Sequence, residues 1–560
     1  MNGEASQRRL ASGVTALTIS VLIVKIIGLI YKIPLLKLLG TQGMGYFNVA
    51  YEIYALFFVI STAGLPVAVS IMVSENLALG RGRNVKKIQK TSFLVFFVFG
   101  LLGTLIMCFG ASVFSKLLGD SQAKLSILAI SPTVFFVCVS GAVRGYFQGI
   151  QNMKPTAVSQ VVEAFGKLFL GMLFAALAKR AGHHVSVCAA FAVLGLAVGS
   201  LLSMLYLLLM KSISHVQHPN AGLFAYTDSV GRILYRLAFL AIPITLSSSL
   251  SVFTRIVDMG MILRRLQAIG YESSVSAAAY GCYSTLAIPL YNIPSSLVAG
   301  ISLSLIPILT EKAENHDDAR GSELVASSLK MCLFFSLPCA VGMAVFANPI
   351  LSLLFMGEHE AVASATPMLA LLAFSVCSSC LMGITNAILQ AYRKATLPIV
   401  SMLVGTVLKI VSSYFLMGLP QIGIHGAAIS TFFCNVAVVG MNLYFIDRFT
   451  RVRFDIFRLS LMPMLSSFLA VGGSLFVWHM LKNRTPLLIG LPVCIFLCVI
   501  LYLWIGGRIG VYQAEDVKML PFGKKALVLL YRFGFLKKER NKKHYEQGRY
   551  DQKASFERKV

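Results

Sequence analysis

Residues 14–39 read VTALTISVLIVKIIGLIYKIPLLKLL, from Val14 to Leu39. The run is too long for the 7–15-residue apolar core of a secretory signal and carries no small-residue cleavage site, although Arg8-Arg9 precede it. A helix of ~20 apolar residues crosses the hydrocarbon core of a bilayer, so this stretch is a first spanning helix. Further runs of the same kind recur along all 560 residues. Of the whole chain, 57% is hydrophobic and 13% charged, about half the charge of a soluble domain. That balance excludes a soluble enzyme, a disordered scaffold and a disulfide-stapled secreted domain. It predicts an all-α polytopic membrane protein of about 14 transmembrane helices, which need about 280 residues. The eighth expected span, 277–309, is overlong and contains Pro289, Pro294 and Pro307, so a bend or local unwinding is expected there.

The excess of 49 Lys+Arg over 23 Asp+Glu follows topology. With a cytoplasmic N-terminus, 35 basic residues fall on inner segments, 8 on outer loops and 6 within spans. The positive-inside rule then places both termini in the cytoplasm. Attraction to an anionic inner leaflet accounts for the basicity, and no nucleic-acid partner is implied. Residues 511–536 suit an interfacial helix, and 537–560 are expected to be disordered. The cysteines lie mostly in apolar runs, where a thiol acts as a small hydrophobe. Cys377 and Cys380 lack a second pair to complete a zinc site, so no metal is expected.

An internal repeat is visible. Gly45-Tyr46-Phe47-Asn48 precedes Glu75, and Gly281-Cys282-Tyr283-Ser284 precedes Glu311, at the same spacing. Gln148, Pro155 and Lys167 recur as Gln390, Pro398 and Lys409. An offset equal to six spans preserves direction, so two parallel six-helix lobes plus two C-terminal helices are expected. The expected divisions are residues 1–211 (first lobe), 212–236 (inter-lobe loop), 237–446 (second lobe), 447–506 (two added spans) and 507–560 (basic tail). Substrate in such transporters sits between lobes near the midplane.

An ionisable group at mid-membrane costs about 2.5–3.5 kcal/mol on insertion scales, so each one needs a reason. Lys25, Lys32, Glu52, Arg255 and Asp258 are the candidate substrate-binding residues, because spans 1 and 7 are equivalent first helices and both carry cations. Arg255 and Asp258, at i and i+3, could instead neutralise each other. Glu163 and Lys167 form an i,i+4 pair of favourable order, and Lys409 is long enough to snorkel, so structural or coupling roles are expected for these three. A cationic cavity in lipid selects an anionic ligand, and a diphosphate fits an Arg fork supported by Lys.

The run from Arg144-Gly-Tyr-Phe-Gln-Gly149 through Met153-Lys-Pro-Thr-Ala-Val-Ser-Gln-Val-Val-Glu163 resembles the signature of the polysaccharide-biosynthesis branch of the multidrug/oligosaccharidyl-lipid/polysaccharide exporter superfamily. Within it the chain is similar to the stage V sporulation protein B group, relatives of MurJ-type lipid II flippases. The resemblance implies a two-lobed fold in the bacterial cytoplasmic membrane that moves lipid-linked saccharides outward. It implies no cofactor, since an ion gradient or the membrane potential would drive the cycle, and cell-wall synthesis proteins are natural partners. The implied cargo is an undecaprenyl-diphosphate-linked saccharide such as lipid II, for peptidoglycan or spore cortex. Another lipid-linked polysaccharide unit, or a drug carried by cation exchange, are the alternatives. Lys25 matches the first cation of the related pattern, whereas Tyr31 stands where a second is found, with Lys32 beside it. An enzymatic role is disfavoured: no long loop carries acid/base residues, and His183, His184, Asp317, Asp318 and His359 are scattered at loop tips.

Overall fold

The computed structural model describes residues 2–214, 227–314, 318–394, 396–450 and 456–512, all helix and short connections among the described residues. The first six helices are α1 (Asn2–Thr62), α2 (Leu65–Ala78), α3 (Gly82–Leu117), α4 (Lys124–Gly149), α5 (Lys154–Arg180) and α6 (Val185–Ile213). Next come α7 (Val230–Ala268), α8 (Ser273–Cys282) and α9 (Ile288–Glu314), then α10 (Asp318–Val345) and α11 (Ala347–Leu354). The chain continues through α12 (His359–Ala391), α13 (Thr396–Met417), α14 (His425–Thr450), α15 (Ile456–Leu481) and α16 (Leu487–Ile509). Beyond Val511 and Tyr512, the expected tail helix and disordered end lie outside the described residues.

Among the described residues, eleven helices are long and apolar enough to cross a membrane, or twelve when the two segments of α7, bent by 42°, count as one span. The smaller number than expected has physical reasons. One candidate, Ile26–Ala78, is 53 residues long, about 80 Å as helix and more than two bilayer cores, so it contains two expected spans. They are divided at Gly40, whose φ of 68° and ψ of 177° suit a residue without Cβ. The α8–α9 segment stands at the eighth expected span and is outside that count.

That segment stays helical and does not unwind. Residues Tyr283–Ala287 form a π-helical turn, after which α9 runs on from Ile288. A wider turn immediately before Pro289 accommodates a residue that has no N–H and crowds the preceding turn. Pro243 lies inside α7 just before its bend.

Contacts divide the chain into two compact units. The first comprises residues 1–292, 354–372 and 398–438. Its core includes Met72, Ile88, Phe96, Phe147, Leu207 and Leu237, contributed by α2, α3, α4, α6 and α7. Small residues permit the close crossing of α2 and α4: a Cβ on Gly145 would stand 2.7 Å from the Pro66 carbonyl oxygen. The second unit comprises 293–353, 373–397 and 439–560. Within it Phe334, Tyr502 and Tyr512 cluster, and the Tyr502 hydroxyl donates to the Phe334 carbonyl at 2.8 Å. Large apolar side chains face outward along the spans, as with Phe109 of α3, 83% exposed, which in water would be costly and in a bilayer is solvated.

Candidate functional site

The two glycines that mark the repeat meet. Gly45 of α1 lies against the Ala277 carbonyl of α8, and Gly281 lies against the Thr41 carbonyl of α1; a Cβ on Gly281 would also stand 2.9 Å from the Gly45 nitrogen. Any side chain at either position would push the helices apart. One turn along, Asn48 donates to the Thr285 hydroxyl at 2.8 Å, both buried. This crossing brings the polar residues of α1 against the π-turn.

Lys32 donates to the Ser284 carbonyl at 2.9 Å. Pro289, five residues beyond Ser284, has no N–H to offer a carbonyl in this turn, so the lysine supplies the missing donor. Lys32 lies within electrostatic range of Lys167 and Glu52. The Lys167 ammonium of α5 stands 4.5 Å from the ring centre of Tyr51, 5.3 Å from that of Tyr31 and 6.0 Å from that of Phe47. Aromatic faces stabilise a cation without neutralising it. Arg255 of α7 donates from Nε to the Glu52 carboxylate at 3.1 Å. Lys32 and Glu52 of α1 thus link Lys167 of α5 to Arg255 of α7, three cations and one carboxylate within spans that offer little water, and the excess charge favours an anion.

Two local pairings expected from helix spacing are replaced. Glu163 takes Arg144 of α4 at 2.9 Å instead of Lys167. Asp258 takes Lys409 of α13 at 3.2 Å instead of Arg255. Buried ions settle where the remaining hydrogen bonds are best met. Arg144 also donates to the Ser159 and Ser203 hydroxyls at 3.0 and 3.1 Å, and Asp258–Lys409 sits beside the Thr254–Thr406 hydroxyl pair, 3.0 Å apart. Lys409 does not snorkel: its side chain is 12% exposed. The side chains of Lys25 and Glu311 lie outside the described residues.

Sequence reasoning missed Arg144 as an intramembrane charge, since proximity to the end of its span suggested an inner loop. The neighbouring glycine stripe gave no signal, because Gly145 and Gly149 pack on α2 whereas Arg144 faces serines of α5 and α6. At the ends of the helices, Arg236 pairs with Glu75, and Asp228 receives a hydrogen bond from Asn84 at 2.8 Å.

Comparison with solved structures shows the fold to be that of transporters of the multidrug/oligosaccharidyl-lipid/polysaccharide superfamily. The chain aligns with lipid II flippase MurJ in an inward closed conformation at a TM-score of 0.67, with 17% identity, covering 88% of this chain and 98% of that one. It aligns with an inward-facing multidrug resistance MATE transporter at 0.62, with 15% identity, covering 80% and 98%. The chain belongs to the polysaccharide biosynthesis protein family, whose model matches residues 10–312; a MatE model also matches residues 243–415. Among curated relatives, stage V sporulation protein B of Bacillus subtilis (strain 168) is 26% identical over 73% of this chain and 78% of its own. Lipid II flippase MurJ of the same organism is 26% identical over 84% and 89%.

Proposed function

We propose that this transporter carries a polyprenyl-diphosphate-linked saccharide across the bacterial cytoplasmic membrane by alternating access, with lipid II or another peptidoglycan or cortex precursor as cargo. The observation that carries the reading is the charge gathered along α1: Lys32, Lys167 and Arg255 against Glu52. A diphosphate is the part of such a cargo that most needs cations in a low-dielectric setting, and Arg presents it a planar fork. The names of two relatives, a lipid II flippase and a sporulation protein, agree with this cargo class.

The repeat supports two parallel lobes that rock about the α1–α8 crossing, and the distribution of Lys and Arg supports both termini in the cytoplasm. The likeness to multidrug transporters favours a second reading, export of an organic cation. That cargo calls for free acids, whereas Glu52, Glu163 and Asp258 each have a cationic partner. Complementation of a bacterium depleted of its own lipid II flippase tests the proposal. Wild-type chain at verified membrane levels should restore growth; growth failure at those levels would direct the reading to another lipid-linked glycan.

A further inference from the structure

Beside Lys167 the first unit contains a cavity of about 420 Å³, whose polar lining includes Arg144, Gln160, Glu163, Lys167 and the Tyr51 and Tyr54 rings. Arg144 is occupied by Glu163. Lys167 has no carboxylate within ion-pair distance among the described residues, only aromatic faces, so the cavity holds one unneutralised positive charge. A groove of about 700 Å³ runs on the other side of the same helices, lined by Ile23, Val158, Val161, Phe165 and Phe169, with Ser20 its one polar side chain among the described residues. Val158, Phe165 and Phe169 are 43%, 43% and 60% exposed, so the groove opens outward from an apolar span, where the surroundings are hydrocarbon.

Groove and cavity lie on the two sides of the seam between α1 and α5. Ile23 and Val24, Gln160 and Val161, Gly166 and Lys167 are consecutive residues, one of each pair lining the groove and the other the cavity. The polar part of the partition is a long hydrogen bond, 3.3 Å, from Ser20 to Gln160. Gly166 contributes no side chain to it.

We propose that this pair of spaces is a lateral site for the cargo lipid: the phosphate sits in the cavity against Lys167, and the hydrocarbon chain lies in the α5 groove. The proposal rests on the reading of a lipid-linked cargo and locates where that lipid first docks. The groove commits the site to a polyprenyl phosphate. One apolar groove beside one cationic cavity, across the seam that the Ser20–Gln160 hydrogen bond closes, matches a lipid with a single chain and an anionic head, whereas a glycerophospholipid would leave its second chain unaccommodated. Lys167 then serves two neighbours, since it also lies within electrostatic range of Lys32 at the central site. A phosphate held at Lys167 is already one side chain from the cations that would carry it.

The test uses purified full-length chain in phosphatidylcholine nanodiscs and a polyprenyl monophosphate with a photoreactive diazirine at the far end of its chain. Labelling should map to α5 between Val158 and Phe169. It should be displaced by unlabelled polyprenyl monophosphate, and not by equal amounts of phosphatidylglycerol or inorganic phosphate. Lys167→Gln should reduce labelling about tenfold, the size expected for losing one charged hydrogen bond, while Lys167→Arg retains it. Val158→Trp, placed at an exposed position that needs no repacking, should block the groove. Absence of α5 labelling in the wild type, equal displacement by phosphatidylglycerol, or full labelling of a correctly folded Lys167→Gln would each overturn the site. Chain that labels at α5 yet fails to translocate lipid-linked saccharide in vesicles would retire the transport reading alone; translocation without labelling would retire the site alone.

Discussion

Arg255 donates from Nε to Glu52 at 3.1 Å, although Asp258 stands one turn further along its own helix. Asp258 is committed to Lys409, 151 residues away, and the same exchange separates Glu163 from Lys167. Side chains at i,i+3 or i,i+4 gain only ~0.2–0.5 kcal/mol from each other, a preference that a buried tertiary partner readily overrides. The consequence is functional. Arg255 is directed from α7 toward α1, and Lys167 is left for the aromatic faces of Tyr31 and Tyr51.

Arg255→Ala should therefore abolish rescue of a flippase-depleted strain while changing stability little. The Arg255 side chain is 48% exposed, so its truncation leaves no closed cavity in the packing. Membrane levels and detergent melting should stay near wild type. Collapse of the purified variant would instead assign Arg255 to packing.

Asp258→Ala should behave in the opposite way. It leaves Lys409 buried without its counter-ion, and breaking a buried pair costs about 3–5 kcal/mol. A marked drop in melting temperature is expected, and the double variant Asp258→Leu with Lys409→Met should recover most of it. A double variant as unstable as the single would show that the pair itself, and not the orphaned charge, supports the fold.

The spans were legible because an apolar run of twenty residues has few alternatives in lipid. The merging of two expected spans into one long helix was not, since nothing local distinguishes Gly40 from Gly28, which the helix accommodates without a break. Candidate charges were identified, but their partners were not: Glu52 and Arg255 are 203 residues apart, and only the packing of α1 on α7 brings them together. Arg144 illustrates the same limit, because its burial depends on serines of α5 and α6.

The α1–α8 crossing makes a sharper prediction about motion. With Asn48→Cys and Thr285→Cys replacing a hydrogen-bonded pair, oxidation should join the two helices, and the joined protein should be inactive until reduced. Adding Gly45→Leu or Gly281→Leu inserts a side chain where backbone already touches backbone, at an overpacking cost of about 1–3 kcal/mol. Disulfide yield should fall sharply in either background. Unchanged yield with the leucine in place would mean the helices do not approach this closely during the cycle.

Asp120, between α3 and α4, gives a pH dependence whose sign can be worked out. Its carboxylate is fully buried, accepts from the Gln122 N–H at 3.1 Å, and burial pushes its pKa up to about 6 from an ordinary 3.8. The folded state therefore holds the proton more tightly than the unfolded state. Stability contributed at this position is complete below the ordinary carboxylate range, declines as pH rises from about 4 to 6, and levels off above. Asp120→Asn keeps an oxygen for the Gln122 N–H and removes the titration. Relative to wild type it should melt higher at pH 7.5, and the advantage should shrink as pH is lowered through that window. The neighbouring Gly119 carbonyl accepts from Gln267 of α7 at 2.6 Å, so the loop is also tied to a helix that carries site residues. An Asp120→Asn advantage that grows on acidification would place the ionised carboxylate, with its capping bond, on the stabilising side.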